Sequence, residues 1–469
     1  MKKQTFGVII TTRDFFPSHL VAAARGQITA LLDSLDFDYI MVNESQTQHG
    51  AVLTYDEAKI CAELFRENRD KINGIIVIMP NFGEEAGVAD AIALSELNVP
   101  VLIQACDDDY DKLDMANRRD AFCGKLSLCN NLYQRGIPFT NTTTHTCKID
   151  SEQFKKDVEQ FAGVCRVVEG VKGLRIALLG VRPTAFRTVR FSERILHRYG
   201  VDVETADMSE VIARANSISD KEEIARMTAK IKAYGNIPAY ITDDKIEKQA
   251  RLCIAIDDTV KSLQCDASAV QCWNSIQNNY GCATCLAMSL MGETGRPSAC
   301  ESDVTGALTM YALMLASGRP TAYMDWNNNV REDRNMCINL HCSNFPKSFF
   351  EKDIEIENLD VLGSTLGADK CFGACKGQVA GGPMTYAKIT TDDLTGEMKL
   401  YVGEGEFTDE PVPTKGGVAS CKVPQLQALL RYICDNGFEH HVSFARGHVA
   451  DIIDEAFSKY IGAKVYHHK

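Results

Sequence analysis

The sequence predicts an α/β protein with two parallel-sheet β-α-β domains and a C-terminal β-rich, barrel-like domain. Short apolar runs alternate with helical segments from the N-terminus onward, and the same alternation restarts near Gly173. After Cys337 the pattern changes to short β-like runs separated by glycine-rich turns. A chain of 469 residues also exceeds what a single hydrophobic core usually supports. The domains are expected to span residues 1–170, 171–335 and 336–469.

Four apolar runs open the first expected domain: TFGVIITT, YIMVN, GIIVIMP and PVLIQA. Helical segments separate them, so the strands should form a parallel sheet, which binds ligands beyond the carboxyl ends of its strands. Arg13 and the turn Asn81–Gly83 fall at such ends. Taken alone, Arg13 is more simply interpreted as a solvated loop residue. The turn lacks the spaced glycines of a dinucleotide loop, so the pattern does not favour an NAD site.

The second expected domain begins with the strand-like run LRIALLGV. The run RTVRFSERILHRYG has the spacing of an amphipathic helix ending at Gly200, and VDVETAD is typical of a second strand. The run AVQCW then returns the chain toward the interior and brings Gln271 and Trp273 close together in sequence. Trp273 is compatible with a core position, and Gln271 with a hydrogen bond to the backbone alone.

The third expected domain carries the runs LDVLGST, TYAKITTDD, MKLYVGEGEF and GGVASCKV, which we interpret as strands. Glycines between them favour hairpin turns and a compact β structure.

Two acidic residues lie where a helix and a strand are expected to meet. The run VTGALTMYALMLA has helical spacing and stops at Gly318, which places Glu301 in the first helical turn. The run TAYM has strand propensity and DWNNN is turn-forming, so Asp325 is expected where a buried strand surfaces. Each acid also has a structural interpretation, because Ser298 and Glu301 have capping-box spacing and Asp325 could be a turn aspartate.

Adjacent histidines occur in the late run FEHHVSF, which we interpret as a strand. Side chains alternate along a strand, so His440 shares a face with Val442 and Phe444, while His441 points to the other face. The first face is typical of core, which leaves His441 as the better ligand candidate. A structural role for a strand histidine is the common alternative.

Together these runs resemble the L-fucose isomerase and L-arabinose isomerase superfamily of aldose-ketose isomerases. The resemblance is carried by CESDVTGAL, by AYMDWN, by the late HHV followed by GH, and by QCW, GGPMTYAKIT and LYVGEGEF. It implies a divalent metal, usually manganese, held by Glu301, Asp325 and His441. The arabinose branch has one more histidine between the second acid and the late histidine, and His341 occupies a comparable place. The fucose branch lacks that histidine.

The resemblance also implies roles for other residues. Glu301 and Asp325 would be the catalytic carboxylates, and Arg13, Gln271 and Trp273 would contact the sugar. An aldose and its ketose differ by a proton between C1 and C2, and a divalent ion on both oxygens would stabilise the enediolate while carboxylates carry protons. Which carboxylate is the base remains open at this point. Related enzymes are homo-oligomers, so a trimer or hexamer is expected.

Charge and hydropathy exclude some partners. The net charge of −13 argues against nucleic acid, because phosphate binding requires clustered Lys and Arg. The N-terminal apolar run is too short for a signal peptide, and no stretch approaches the roughly 18 apolar residues of a membrane span. We therefore expect a cytoplasmic protein with neither a nucleic-acid partner nor a membrane partner.

Eighteen cysteines are expected to be thiols, many of them buried as small apolar residues. Cys282 and Cys285 have the spacing of half a zinc site. A second such pair does not follow, because Cys371 and Cys375 are separated by three residues. Buried thiols are therefore favoured over structural zinc or an iron-sulfur cluster.

The substrate remains open among L-fucose, L-arabinose, D-arabinose and a modified hexose such as a sulfonated sugar. For an anionic sugar, the cations Arg13, Arg182, Arg187 and Arg190 could serve as partners, although surface arginines are common. Two alternatives compete with the isomerase. One is a sugar-binding or regulatory protein without turnover, and the other is a metal-dependent sugar lyase.

Overall fold

The computed structural model describes residues 3–350 and 352–469 and divides into two compact units. The first unit comprises Met1–Glu169 and Glu455–Gly462, and the second comprises Gly170–Asp454 and Ala463–Lys469. In the described residues, no helix has the length and apolar character needed to cross a membrane. The division into three domains at 170 and 335 stays a prediction.

The first unit is built on a five-stranded parallel sheet of order β2-β1-β3-β4-β5. Its strands are β1 Thr5–Ile10, β2 Asp38–Ile40, β3 Ile72–Met79, β4 Val101–Ala105 and β5 Thr140–Asn141. Its helices are α1 His19–Ser34, α2 Tyr55–Glu67, α3 Glu85–Ser95, α4 Ala121–Gln134 and α5 Glu152–Val171, which continues into the second unit, with a 3₁₀ turn at Gln48–Gly50 and a π-helix at Ala456–Ile461.

Alternation of side chains along the strands gives this sheet a core on each face. Val8 and Ile10 pack in one apolar cluster, whereas Ile9 between them packs in the other. Strands covered on both faces are continuously apolar, which is the pattern that predicted the parallel sheet. The predicted α/β class is confirmed.

The second unit begins with a four-stranded parallel sheet of order β7-β6-β8-β9. Its strands are β6 Arg175–Leu179, β7 Asp202–Ala206, β8 Ala267–Val270 and β9 Ser298–Cys300. The helices of this part are α6 Glu193–Arg198, α7 Met208–Ser217, α8 Lys221–Tyr234, α9 Asp243–Ser262, α10 Ser275–Asn279, α11 Cys285–Glu293 and α12 Val304–Ser317, with a 3₁₀ turn at Arg187–Val189.

A long helix expected after β6 is mostly absent. The chain forms only the 3₁₀ turn and then the short α6, because the Ser192 hydroxyl caps that helix by accepting a hydrogen bond from the Ile195 amide. The helix ends before Gly200, whose φ of 81° lies in the left-handed region. Residues 180–191 therefore stay a loop at the carboxyl end of β6.

The remainder of the second unit forms a nine-stranded sheet. Its strands are β10 Thr321–Val330, β11 Asp333–His341, β12 Glu355–Asn358, β13 Phe372–Gln378, β14 Gly382–Asp392, β15 Glu397–Thr408, β16 Gly417–Lys422, β17 His441–Arg446 and β18 Lys464–His468. Its helices are α13 Asp360–Leu366, α14 Leu426–Asp435 and α15 Ala450–Glu455, with 3₁₀ turns at Lys347–Phe349 and Ala368–Lys370.

Six of these strands close into a barrel. The antiparallel pairings run from β16 through β11, β10, β17, β14 and β15, and β15 pairs again with β16. Closure removes free strand edges. The predicted β-rich, barrel-like architecture of the C-terminal part is confirmed.

One expected strand is wrong. The run LDVLGST forms α13 rather than a strand. Leu359 and Leu362 are buried while Val361 is largely exposed, so the apolar residues recur at helical rather than alternating spacing.

Two helical glycines of the first unit give a matched test of this packing. A Cβ at Gly124 in α4 would collide with the backbone carbonyl of Phe82, whereas a Cβ at Gly26 in α1 meets nothing within 4 Å. Gly124→Ala should therefore destabilise the protein by about 1–3 kcal/mol through overpacking. Gly26→Ala should stabilise it by about 0.5–1 kcal/mol through helix propensity. Chemical denaturation measures both, and equal effects would contradict the packing of α4.

Candidate active site

The acids and histidines singled out in the sequence lie on neighbouring elements of the second unit. Glu301 follows the carboxyl end of β9. Asp325 in β10 lies directly opposite His441, the first residue of β17, in the antiparallel ladder. His341 ends β11, the neighbour of β10 on its other side. The sheet edge and the barrel thus bring four ligand-type side chains to one place.

The sequence pattern predicted Glu301 in the first turn of a helix, and this prediction is wrong. Ser298 belongs to β9, and the chain then turns through Glu301 and Ser302, each with φ of 60°, before α12 begins at Val304. Asp303 is the helix cap, with its carboxylate accepting the Gly306 amide hydrogen at 2.8 Å. The capping-box interpretation is therefore wrong. Two successive left-handed residues without glycine are costly and occur where tertiary contacts enforce them.

Asp325 does not end its strand. β10 continues to Val330, because pairing with β11 and β17 satisfies its backbone despite the turn propensity of the three asparagines. The strand was expected to reach the surface at Asp325. Residues 321–324 are buried and Asp325 is partly exposed, so this part of the expectation is correct.

The side chains of this cluster approach closely. His441 Nε2 lies 2.9 Å from Glu301 Oε2 and 3.6 Å from Asp325 Oδ1. Donor atoms of Asp325, His341 and His441 lie within 4.8 Å of one another, and so do those of Glu301, His440 and His441. A pocket of about 310 Å³ is lined by Glu301, Asp325 and His341. Trp273 and Phe186 line the same pocket.

Asp303 fixes the orientation of the His441 ring. His441 Nδ1 lies 3.1 Å from Asp303 Oδ2 and also contacts the Tyr323 hydroxyl, which donates to the same carboxylate oxygen at 2.6 Å. A carboxylate only accepts hydrogen bonds, so Nδ1 carries the hydrogen. In the neutral ring, Nε2 then directs its lone pair toward Glu301 and Asp325. A carboxylate behind a histidine in this way is the usual support of a metal-binding imidazole.

The charges of this cluster are strongly coupled. Burial lowers the pKa of His441, but its bonds to Asp303 and Glu301 prevail and raise the pKa to about 9. Burial raises the pKa of Asp303, but the Lys388 ammonium and His441 hold it well below the usual range. The pKa of Glu301 is also lowered, because neighbouring imidazoles outweigh its burial.

Sequence reasoning missed Asp303, Lys388 and Phe186. Lys388 is fully buried and its ammonium donates to Asp303 at 2.5 Å. A lone lysine within the apolar run TYAKIT was the available signal, since a buried lysine requires an acidic partner. The ring of Phe186 lies 4.7 Å from Trp273 and 6.3 Å from His441 between centroids, and no sequence pattern marked it.

The donor set fits a divalent cation. Two carboxylates and two imidazoles supply the oxygen and nitrogen ligands that manganese and related ions accept. Asp325 Oδ1 is buried and accepts no hydrogen bond from any described residue. Such an oxygen is costly unless it meets a cation or a donor. Cys300 and Cys342 lie beside Glu301 and His341 in another close group of donors.

The other predicted residues have different surroundings. Trp273 lines the pocket, whereas Gln271 Oε1 accepts the Val181 amide hydrogen at 3.1 Å and so contacts the loop after β6. Arg13 lies in the first unit, where it pairs with Glu84 and Glu85. Assignment of these three residues to sugar contact stays a prediction.

The two cysteines with CxxC spacing lie apart from the close donor groups of the described residues. Among the described residues, neither Cys282 nor Cys285 joins a group of donors close enough to hold an ion. The Cys285 thiol instead forms hydrogen bonds with the thiols of Cys300 and Cys342 in the buried interior. All 18 cysteines are free thiols.

Comparison with known families decides the relationship. Residues 7–172 match the model described as fucose/sulfoquinovose isomerase, N-terminal domain, and residues 339–469 match that of the L-fucose isomerase C-terminal domain. The chain belongs to the fucose isomerase family. The resemblance and the enzyme class of sugar isomerase, an intramolecular oxidoreductase, are thereby confirmed.

Individual relatives share 24–30% sequence identity with this chain. A sulfoquinovose isomerase of Alkalicoccus urumqiensis is 24% identical over 329 residues, which cover 67% of this chain and 72% of the relative. A protein of the same name from Clostridium sp. (strain MSTE9) is 30% identical over 301 residues, or 63% of this chain and 65% of the relative. About a third of each relative therefore lies outside the alignment. A solute-binding protein of an ABC transporter from Burkholderia multivorans aligns with 68% of this chain and 95% of its own at 11% identity and a TM-score of 0.19, which establishes no shared fold.

Replacing the buried Asp303 by asparagine tests the charge at the base of the site. Asn also caps helices, so Asp303→Asn mainly leaves the Lys388 ammonium buried without its anion. Loss of one partner of a buried pair should lower the free energy of unfolding by about 3–5 kcal/mol. Asp220→Asn is the matched control, because Asp220 caps α8 with an exposed side chain and should change stability little. Equal effects in urea denaturation would contradict the buried pair.

Metal affinity should depend on pH through His441. A cation must displace the proton from Nε2, whose pKa in the metal-free protein is raised to about 9. Below that pH the apparent association constant should rise about tenfold per pH unit, and it should level off above it. Calorimetric titration with manganese between pH 7 and 9.5, in buffers of different ionisation enthalpy, measures affinity and proton release. An affinity that stays constant from pH 7 to 9 would contradict this arrangement.

Proposed function

We propose that this protein is a metal-dependent aldose-ketose isomerase, which interconverts a monosaccharide aldose and its ketose through an enediolate. One observation carries the proposal. Glu301 and Asp325 line one pocket and lie 2.9 and 3.6 Å from Nε2 of the buried His441, and a buried Asp325 oxygen has no hydrogen-bond partner among the described residues. Membership in the fucose isomerase family supports a sugar as the substrate.

Glu301, Asp325 and His441 would hold the cation, with His341 as a further donor and manganese as the proposed ion. When bound, such an ion supplies a Lewis acid that polarises the carbonyl and adjacent hydroxyl oxygens of an open-chain sugar. The donor chemistry supports this choice, since carboxylates favour hard cations and imidazoles favour transition ions.

The chain's own residues would carry the protons. The lowered pKa of Glu301 keeps this carboxylate ionised at neutral pH, so it can accept a proton from carbon. The Asp325 carboxylate lies 3.6 Å from His441 Nε2 and would transfer a proton between the two sugar oxygens. Asp303 acts as a positioning residue, because it holds the ring of His441 through Nδ1. Trp273 and Phe186 would cover the reacting carbons and exclude water.

We propose a sulfonated hexose as the substrate. The curated relatives from Alkalicoccus urumqiensis and Clostridium are named sulfoquinovose isomerases, which supports an aldose with a sulfonate group. A cytoplasmic location, expected from the apolar runs of the sequence, and a homo-oligomer of three or six copies, implied by the family resemblance, belong to the same proposal.

Substitution of Glu301 tests the proposed base. Glu301→Gln should lower kcat by roughly a thousandfold or more, since general acid–base catalysis contributes about 10²–10⁴ and a ligand charge is lost as well. Thermal stability should change little. A panel of aldoses is incubated with the protein and manganese in D₂O. NMR then measures the conversion of aldose to ketose and the incorporation of solvent deuterium at the carbon beside the carbonyl. Glu332→Gln, an exposed residue in the turn between β10 and β11, is the control.

Three outcomes would contradict the proposal. Turnover by Glu301→Gln at the wild-type rate would remove the role of that residue. Cleavage products in the NMR spectra would indicate a lyase. Tight sugar binding by the wild type without conversion of any aldose would indicate a binding protein.

A further inference from the structure

A second pocket of the second unit lies next to the proposed metal site and carries a strong positive charge. It has a volume of about 510 Å³ and is formed by the loop 180–191 together with Ser302. Arg182, Arg187 and Arg190 line it, and no carboxylate does. Arg182 and Arg190 donate to the Pro183 and Arg187 carbonyls, and no described carboxylate lies within ion-pair distance of the three guanidinium groups. The pocket therefore holds cationic donors without anionic partners.

The lysines that line the metal pocket already have carboxylate neighbours. Lys376 donates to Glu357 at 2.7 Å and to Asp360 at 2.8 Å, and the Lys415 ammonium lies 3.9 Å from Glu357. An anionic group on a sugar would therefore meet paired lysines there, and Asp360 would repel it. The unpaired arginines beyond Ser302 are better partners, because a guanidinium binds tetrahedral oxyanions through several aligned donors.

Ser302 connects the two pockets. It follows Glu301 directly, so their Cα atoms are about 3.8 Å apart. Its side chain is 2% exposed, and its hydroxyl has no hydrogen-bond partner among the described residues. The Ser302 amide donates to the Val270 carbonyl at 3.2 Å, which fixes the backbone. A buried hydroxyl without a partner beside three arginines indicates a missing acceptor at this position.

The fold places this pocket where doubly wound sheets bind ligands. In the order β7-β6-β8-β9, the connection reverses direction between β6 and β8, and ligands occupy the crevice at the carboxyl ends of such strands. The loop after β6 carries the arginines, and Gln271 after β8 holds that loop by its bond to the Val181 amide. Phe186 of the same loop faces the metal pocket. One loop thus borders both pockets.

We propose that Arg182, Arg187, Arg190 and the Ser302 hydroxyl bind the sulfonate of the substrate, while its carbonyl end lies at Glu301 and Asp325. This inference rests on the proposed isomerase function and specifies which part of the chain selects the anionic sugar. A sulfonate offers three acceptor oxygens and one negative charge at any pH of interest. The subsite therefore distinguishes a sulfonated hexose from its neutral 6-deoxy counterpart.

The test compares three aldoses with manganese present: 6-deoxy-6-sulfoglucose, neutral 6-deoxyglucose and glucose 6-phosphate. The wild type should prefer the sulfonated sugar in kcat/KM over both others. Arg187→Gln should raise KM for the sulfonated sugar about tenfold, in line with loss of one charged hydrogen bond, and should change kcat less than threefold. Its preference for the sulfonated over the neutral sugar should fall by the same factor, and Arg187→Lys should restore part of it.

Arg187 is the most informative position, since Arg190 Nε also closes the loop by donating to the Arg187 carbonyl at 2.7 Å. Arg194→Gln is the matched control, because Arg194 lies on exposed α6 outside the pocket lining and should behave as wild type. Ser302→Ala should also raise KM for the sulfonated sugar. Equal losses for sulfonated and neutral sugars in Arg187→Gln would overturn the subsite, as would wild-type preference for the phosphorylated or neutral sugar.

A binding measurement separates this inference from the isomerase function. Inorganic sulfate and methanesulfonate should bind wild-type protein in calorimetry without metal, and binding should weaken at least tenfold in Arg187→Gln. Identical binding to both proteins would overturn the subsite even if isomerisation is found. If no aldose is converted, the isomerase function fails, and loss of sulfate binding in Arg187→Gln still supports an anion site.

Discussion

The buried carboxylate of Asp303 is the interaction on which the second unit depends. It caps α12 through the Gly306 amide, accepts the Tyr323 hydroxyl hydrogen from β10 and the Lys388 ammonium from β14, and contacts His441 in β17. Both members of the Asp303 and Lys388 pair are fully buried. Removing two charges from water costs so much that such a pair adds little net stability. The contacts of Asp303 connect the start of α12 with three strands of the barrel.

The contacts of Asp303 also hold the strained turn before α12. Glu301 and Ser302 both adopt left-handed φ angles, which neither residue prefers. Asp303 anchors the turn on one side through Thr305, Gly306, Tyr323, Lys388 and His441, and the Ser302 amide donates to the Val270 carbonyl of β8 on the other. The turn points one side chain into each of two pockets, Glu301 toward the histidines and Ser302 toward the arginines. The strained turn thus places the Glu301 and Ser302 side chains where a regular helix start would not place them.

The features that could be predicted from the sequence are those that depend on local residue patterns. Continuous apolar runs between helices identified both parallel sheets, and glycine-separated runs identified the β domain. The same patterns could not place Glu301, because the run SAC becomes a strand only by pairing with β8, a contact of long sequence separation. Asp325 was misplaced at a strand end for a related reason, since the asparagines after it remain in β10 through pairing with β11. Local propensity is overruled wherever a neighbouring strand satisfies the backbone.

The closed barrel and the loop 180–191 meet at this centre, and they differ in how freely their side chains can be substituted. Asp325 and His441 are directly opposed in a closed barrel, whose ladder fixes their separation, so a change there would alter the geometry of both. The loop 180–191 is bound to the sheet at its start by Gln271, and Phe186 packs against Trp273, but Arg187 and Arg190 are exposed, so these two side chains can change without disturbing the barrel. In the proposed isomerase, the barrel and the β9 turn would carry the reaction chemistry, whereas the loop after β6 would select the sugar. Such a division would let one scaffold keep one reaction and still accept sugars that differ in charge.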